Sequence, residues 1–158
     1  MKSLVVFYSR SGSTKKVGEA VAKELGSDLE ELVDLKKRGG PIGFIRSGRD
    51  ASGRKLARIN STKYDPSQYD LVIICTPVWA ANITPAARTY LTDNKEKIKD
   101  AAFLLTFGGR GGDACLSDMK QIYGRDPRGT LMVRQKEISS GEFAQKIKQF
   151  ASQLAGSQ

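Results

Sequence analysis

Residues 4–21 read LVVFYSRSGSTKKVGEAV. The apolar run Leu4 to Tyr8 ends at Ser9, a polar loop extends to Thr14, and Val17, Ala20 and Val21 then recur at helical spacing. An apolar run without polar alternation is the signature of a strand buried on both faces, as in a parallel sheet. A strand that passes through a tight loop into an amphipathic helix begins a βαβ crossover.

The same alternation continues along the 158 residues. Further strands are expected at Leu29 to Leu35, Leu71 to Cys75, Ala102 to Phe107 and Gly129 to Val133. Between and after them, Pro85 opens a helix toward Tyr90 and Leu91. Leu116, Met119, Ile122 and Tyr123 mark another helix, and Phe143, Ile147, Phe150 and Leu154 the last. The order implies an α/β fold: a doubly wound, five-stranded parallel sheet with helices on both faces, in one domain over residues 1–158. A chain of this length buries roughly 70% of its unfolded surface in one core. From Gly39 to Asn60 glycines and Pro41 interrupt any helix, so this stretch reads as an irregular crossover with one short helix.

The chain carries 26 Lys and Arg against 17 Asp and Glu, a formal charge of +9, and no histidine. The excess is concentrated: Lys36, Lys37, Arg38, Arg46, Arg49, Arg54, Lys55 and Arg58 share their segment with one acid, Asp50. Such a face either keeps a protein soluble or recruits an anionic partner. The N-terminal apolar run is too short for a signal peptide or a membrane span, so a soluble, cytoplasmic protein is expected. Cys75 and Cys115 belong to no metal-like or Cys-x-x-Cys cluster, which predicts reduced, buried thiols and no metal. Cys115 sits where a helix N-terminus would lower a thiol pKa.

In parallel sheets of this kind ligands bind beyond the carboxyl ends of the strands, where the strand order reverses. Three loops lie there. After the first strand, Ser9, Ser11, Ser13 and Thr14 supply four hydroxyls, Gly12 permits a tight turn, and the next helix points its free amides at the same spot. Phosphate is the best-matched guest for such a cradle. Neither Gly-x-x-x-x-Gly-Lys-Ser/Thr nor Gly-x-Gly-x-x-Gly follows this strand, and a Ser/Thr cap on a flexible turn would account for the loop taken alone. The second loop runs from Thr76 through Pro77, Val78, Trp79 and Ala80, and places the only tryptophan where it can stack on a flat ligand. The third, from Phe107 through Gly108, Gly109, Gly111 and Gly112 to Asp113, bares backbone that can address a heterocycle edge-on; read alone, it is a tight connection capped by Asp113.

Taken together, these motifs resemble the flavodoxin-like family over essentially the whole chain, and the length resembles its short-chain flavodoxins. Ser9-Arg10-Ser11-Gly12-Ser13-Thr14 is similar to the family's phosphate loop, Thr76-Pro77-Val78-Trp79 to the loop that wraps the isoalloxazine ring, and the glycine-rich stretch after Phe107 to the loop that closes over its other side. The resemblance implies non-covalent FMN and electron transfer, with no catalytic side chain required. Arg10 stands where relatives commonly carry a neutral residue, and it either pairs with the phosphate or points to solvent. The third loop has no tyrosine to stack on the outer flavin face, and the chain is basic where many flavodoxins are acidic.

The corresponding partner is an acidic redox protein or reductase, steered by charge. An alternative is an FMN-dependent reductase that takes hydride from NAD(P)H and reduces a quinone or similar acceptor. Nucleic-acid binding is disfavoured, because the cations are not interleaved with aromatic residues and no nucleic-acid motif is present. A response-regulator receiver is excluded by Ser9, Arg10 and Thr76, which stand where its acidic residues would be.

Overall fold

A computed structural model describes residues 1–36 and 38–156. Strand β1 (Ser3–Tyr8) leads to helix α1 (Ser13–Leu25), then β2 (Asp28–Leu32) and α2 (Gly40–Ser52). A short 3-10 turn (Pro66–Gln68) precedes β3 (Leu71–Trp79), β4 (Asn82–Ile83) and α3 (Pro85–Asn94). The chain continues through β5 (Ala101–Phe107), α4 (Gly112–Tyr123), β6 (Gly129–Arg134), α5 (Gln135–Ser140) and α6 (Phe143–Gly156). Five strands pair in parallel in the order β2-β1-β3-β5-β6, and the two-residue β4 folds back antiparallel on the end of β3. The chain adds strands outward on one side of β1 and then on the other, so the order reverses between β1 and β3.

The period-two side-chain alternation of the strands builds two cores. Leu4, Val6 and Tyr8 of β1 join Tyr90 and Leu91 of α3 and Cys115, Met119 and Tyr123 of α4. Val5 and Phe7 of the same strand join Val17 and Val21 of α1 and Ile147, Phe150 and Leu154 of α6. Each buried valine, leucine, isoleucine, phenylalanine or methionine among them contributes about 1.5–3 kcal/mol. Among the described residues no helix is long and apolar enough to cross a membrane.

Three expectations are corrected. The third strand does not end at Cys75 but continues to Trp79, because Thr76 and Pro77 stay in register with Leu105 and Thr106 of β5 while Val78 and Trp79 pair with β4. The second strand ends at Leu32, not Leu35, because the chain turns at Val33 to run antiparallel beside residues 58–60. Leu35 N–H donates to the Arg58 carbonyl at 2.9 Å and Asn60 N–H to the Val33 carbonyl at 3.1 Å. The crossover read as irregular contains a full 13-residue helix, α2, whose buried positions are Gly43, Ser47, Asp50 and Ala51. One of the glycines that argued against a helix lets the preceding backbone approach closely: a Cβ on Gly43 would lie 2.3 Å from the Arg38 carbonyl carbon. Lys37 of the basic segment lies outside the described residues.

Candidate functional site

The loops after β1, β3 and β5 converge at one end of the sheet around a cleft of about 290 Å³. Arg10 and Ser11 line it from the first loop and Ser13 and Thr14 from the start of α1, Pro77, Val78 and Trp79 from the end of β3, Thr106 and Phe107 from the end of β5, and Gly108 from the loop after it. Among the described residues no carboxylate lines it.

The first loop is held by its own atoms. Gly12 takes a left-handed conformation, φ 99°, and its N–H donates to Ser9 Oγ at 3.0 Å. Ser9 is thus a brace within the loop and lies outside the cleft lining. Helix α1 starts with no side-chain cap and no acid in its first turn. Its leading amides therefore keep their hydrogen-bonding capacity, and its positive dipole end faces the cleft uncompensated. The Thr14 hydroxyl is buried and 2.8 Å from the Thr106 hydroxyl. Two hydroxyls that share one hydrogen bond leave a second O–H to donate elsewhere.

The second loop is a two-residue hairpin turn in which both Ala80 and Ala81 have positive φ, 49° and 61°. That conformation matches the strand twist but costs a residue with a Cβ roughly 1–2 kcal/mol. Asn82 Nδ2 donates to the Ala80 carbonyl at 2.8 Å and helps hold the turn. Gly111 secures it from the third loop: with φ 81° it comes so close that a Cβ there would sit 2.7 Å from Ala81 Cα. The turn fixes the preceding Trp79. The indole packs edge-on against Tyr8 with centroids 5.4 Å apart, and the guanidiniums of Arg38 and Arg10 lie 5.6 and 6.0 Å from its ring centroid. Burial, with the nearby Asp34 charge, pushes the Tyr8 hydroxyl up to about 12, so it stays protonated beside the indole.

Several expected site residues stand elsewhere. Thr76 is fully buried, with its hydroxyl 2.9 Å from Thr84 Oγ1, and acts as a support behind the second loop. Ala80 lines a neighbouring hollow of about 280 Å³ on the α2 side of Trp79, with Ile45, Arg49 and Phe44. Gly109, Gly112 and Asp113 line a third hollow beyond Phe107. Burial, with the nearby Asp118 charge, pushes the Cys115 thiol up to about 12, so it is a packed thiol and not an activated one. Phe44 and Gln135, which line the cleft, went unrecognised in the sequence. Phe44 belongs to a helix longer than the short one expected, and an isolated glutamine after the last strand carries no motif.

Beside the cleft a charge cluster locks α2 in place. Arg38 Nε donates to Asp34 at 2.5 Å and Nη1 to Asp50 at 3.0 Å, while Lys36 Nζ donates to Asp50 at 2.6 Å. Burial alone would raise the Asp50 carboxyl, but the hydrogen bonds from Lys36 and Arg38 outweigh it and hold the group below the ordinary carboxylate range.

No family model and no curated protein matches the chain. Solved structures do. The chain is similar to a flavoprotein from Lactobacillus acidophilus crystallised in complex with FMN, at 25% identity and TM-score 0.74, over 88% of this chain and 97% of that one. It is similar to oxidised flavodoxin 1 from Bacillus cereus at 16% identity and TM-score 0.58, over 100% and 99% of the two chains. A flavodoxin, WrbA-like protein from Agrobacterium tumefaciens aligns at 15% identity and TM-score 0.59, over 99% of each chain. The parallel sheet, its strand order and the three convergent loops are thus those of a protein that is flavodoxin-like in fold.

Proposed function

We propose that the cleft binds FMN and that the protein exchanges electrons with redox partners. The observation that carries this reading is the uncapped, acid-free N-terminus of α1, ringed by Ser11, Ser13 and the Thr14–Thr106 hydroxyl pair. Among the described residues no side chain caps the leading amides, and the hydroxyl pair keeps one O–H free to donate, a donor set that suits a dianionic phosphate. Trp79 and Phe107 offer flat apolar walls for a ring system at the other side of the same cleft. FMN, when bound, supplies the redox chemistry, and the protein supplies binding, orientation and charge. The start of α1 and the hydroxyls of Ser11, Ser13 and Thr14 would hold the phosphate, and Trp79 and the bared backbone at Gly108 would hold the ring. Arg10, with its guanidinium 5.0 Å from the Phe44 ring centroid, adds positive charge at the rim.

The single tryptophan makes the test direct. Adding FMN to the apoprotein should quench Trp79 fluorescence at one equivalent and release heat, while riboflavin should bind more weakly because it lacks the phosphate. Absence of both signals refutes the reading.

The hollow between Trp79 and α2, with Arg10 and Arg49 at its walls, favours a second reading, an FMN-dependent reductase using NAD(P)H. Steady oxidation of NADPH by the FMN-loaded protein, with a quinone and no added reductase, separates enzyme from carrier.

A further inference from the structure

We propose that the outward face of α2 is the docking surface for an acidic partner protein. The helix is built inside out. Its inward side is Gly43, Ser47, Asp50 and Ala51, while Ile42, Phe44 and Ile45 are 73%, 64% and 69% exposed. Leu35 and Leu56, before and after the helix, are also exposed. Isolated exposed apolar residues are ordinary, but large ones gathered on one crossover mark an interaction site.

This orientation is fixed. The contact of Gly43 with the Arg38 backbone leaves no room to turn an isoleucine inward. Ser47 Oγ donates to the Gly43 carbonyl at 2.6 Å, and Asp50 is tied to Arg38 and Lys36.

Charge identifies the occupant. Asp50, the one acid between Lys36 and Arg58, is turned inward, so the outer face presents cations without acids. Arg46, Arg49, Arg54 and Arg58 are exposed, and among the described residues none of them forms an ion pair. An apolar centre rimmed by arginines is the anatomy of a protein interface. A second copy would bring like charges together across a two-fold axis. The complementary surface is an apolar spot ringed by Asp and Glu. Phe44 lines the cleft as well as this face, so a partner seated there reaches the cleft edge. Use of the surface for electron exchange rests on the flavin reading, whereas the docking does not.

The test uses the full chain, with and without FMN, and a plant-type two-iron ferredoxin as the acidic probe. Cytochrome c serves as a basic control, and vesicles containing phosphatidylserine as an anionic surface. At low salt the ferredoxin should bind both forms and cytochrome c neither. Ile42→Asp should weaken ferredoxin binding by about tenfold, and the double variant Arg46→Glu/Arg54→Glu should flatten its salt dependence. These positions are exposed, and a far-UV spectrum and FMN titration of Ile42→Asp should match the parent. No ferredoxin binding, binding unchanged in both variants, tighter capture by the vesicles, or α2-dependent self-association in sedimentation would each overturn the proposal. Ferredoxin binding without FMN binding would refute the flavin reading alone, and the reverse would refute docking alone.

Discussion

Helices α1 and α2 are both 13 residues long and both begin after a glycine, yet they are held to the sheet by opposite means. Helix α1 turns Val17 and Val21 into the core with Phe7 and Ile73 and leaves its lysines outside. Helix α2 turns in glycine, serine, alanine and an aspartate, and leaves its isoleucines and phenylalanine outside. Hydrophobic burial anchors the first, and a buried ion cluster with backbone contact anchors the second. The helix that hydrophobic burial seats exposes its N-terminus to the cleft, and the helix that ions seat exposes its apolar side to solvent.

The most direct way to break this contrast is to remove each anchor. Asp50→Ala leaves Arg38 buried with a single partner, Asp34, and should cost about 3–5 kcal/mol if α2 is integral to the cooperative fold. Val21→Ala in α1 should cost about 2 kcal/mol by creating a small cavity. Urea unfolding compares the two, and hydrogen exchange shows whether Asp50→Ala frees the α2 amides while those of α1 stay protected. A smaller loss for Asp50→Ala than for Val21→Ala, with α2 still protected, would mean that the ion cluster is ornamental.

The same contrast explains what the sequence displayed. Strands β1, β3 and β5 are legible because burial on both faces leaves unbroken apolar runs, and α1 because its apolar residues follow the helical period. Helix α2 is illegible by that rule, since its apolar positions mark the outside and one of the glycines read as breakers, Gly43, is where it packs. Val33 and Leu35 misled in a similar way: they extend an apolar run but are 47% and 62% exposed, beyond the true end of β2. The hydroxyl loop and Trp79 were legible because their chemistry is local. Phe44 and Gln135 reach the cleft only through tertiary packing.

Helices α1 and α4 both start uncapped but differ in charge. Helix α4, like α1, begins after a left-handed glycine with no side-chain cap, but carries Asp113 in its first turn. Placing the same charge at the start of α1, as Ser13→Asp, should remove a hydroxyl donor and repel the phosphate. Loss of one hydrogen bond to a charged group is worth about 1.5–3 kcal/mol, so FMN should bind roughly 10- to 100-fold more weakly. Riboflavin affinity should be little changed, and calorimetry with both ligands reads the difference. Equal weakening for the two would place the phosphate elsewhere.

Acid should loosen α2 before α1. The folded Asp50 carboxyl lies below its ordinary value, so its contribution is complete above the unfolded pKa of about 4 and is lost as pH falls through the folded value. Asp50→Asn keeps the shape without the charge. The stability gap between the parent and Asp50→Asn should be constant from pH 7 to about 5 and close at lower pH, with α2 amides exchanging first. A gap that persists unchanged in strong acid would show that Asp50 works by shape alone.

The smallest expected effect tests how far the outer charges of α2 reach. Neither Arg46 nor Arg49 has an ion-pair partner among the described residues, and Arg49 lines the hollow against Trp79. Exposed cations stabilise a flavin more as it gains negative charge on reduction. At a separation of about 10 Å in a water-like dielectric, each is worth roughly 0.4 kcal/mol, or on the order of 20 mV for one electron. Replacing both by glutamine should therefore lower the midpoint potential of bound FMN by a few tens of millivolts at low salt. The shift should shrink as the Debye length falls below that separation. An unchanged potential at low salt would confine α2 to docking, whereas a shift that resists salt would mean that Arg49 touches the ring directly.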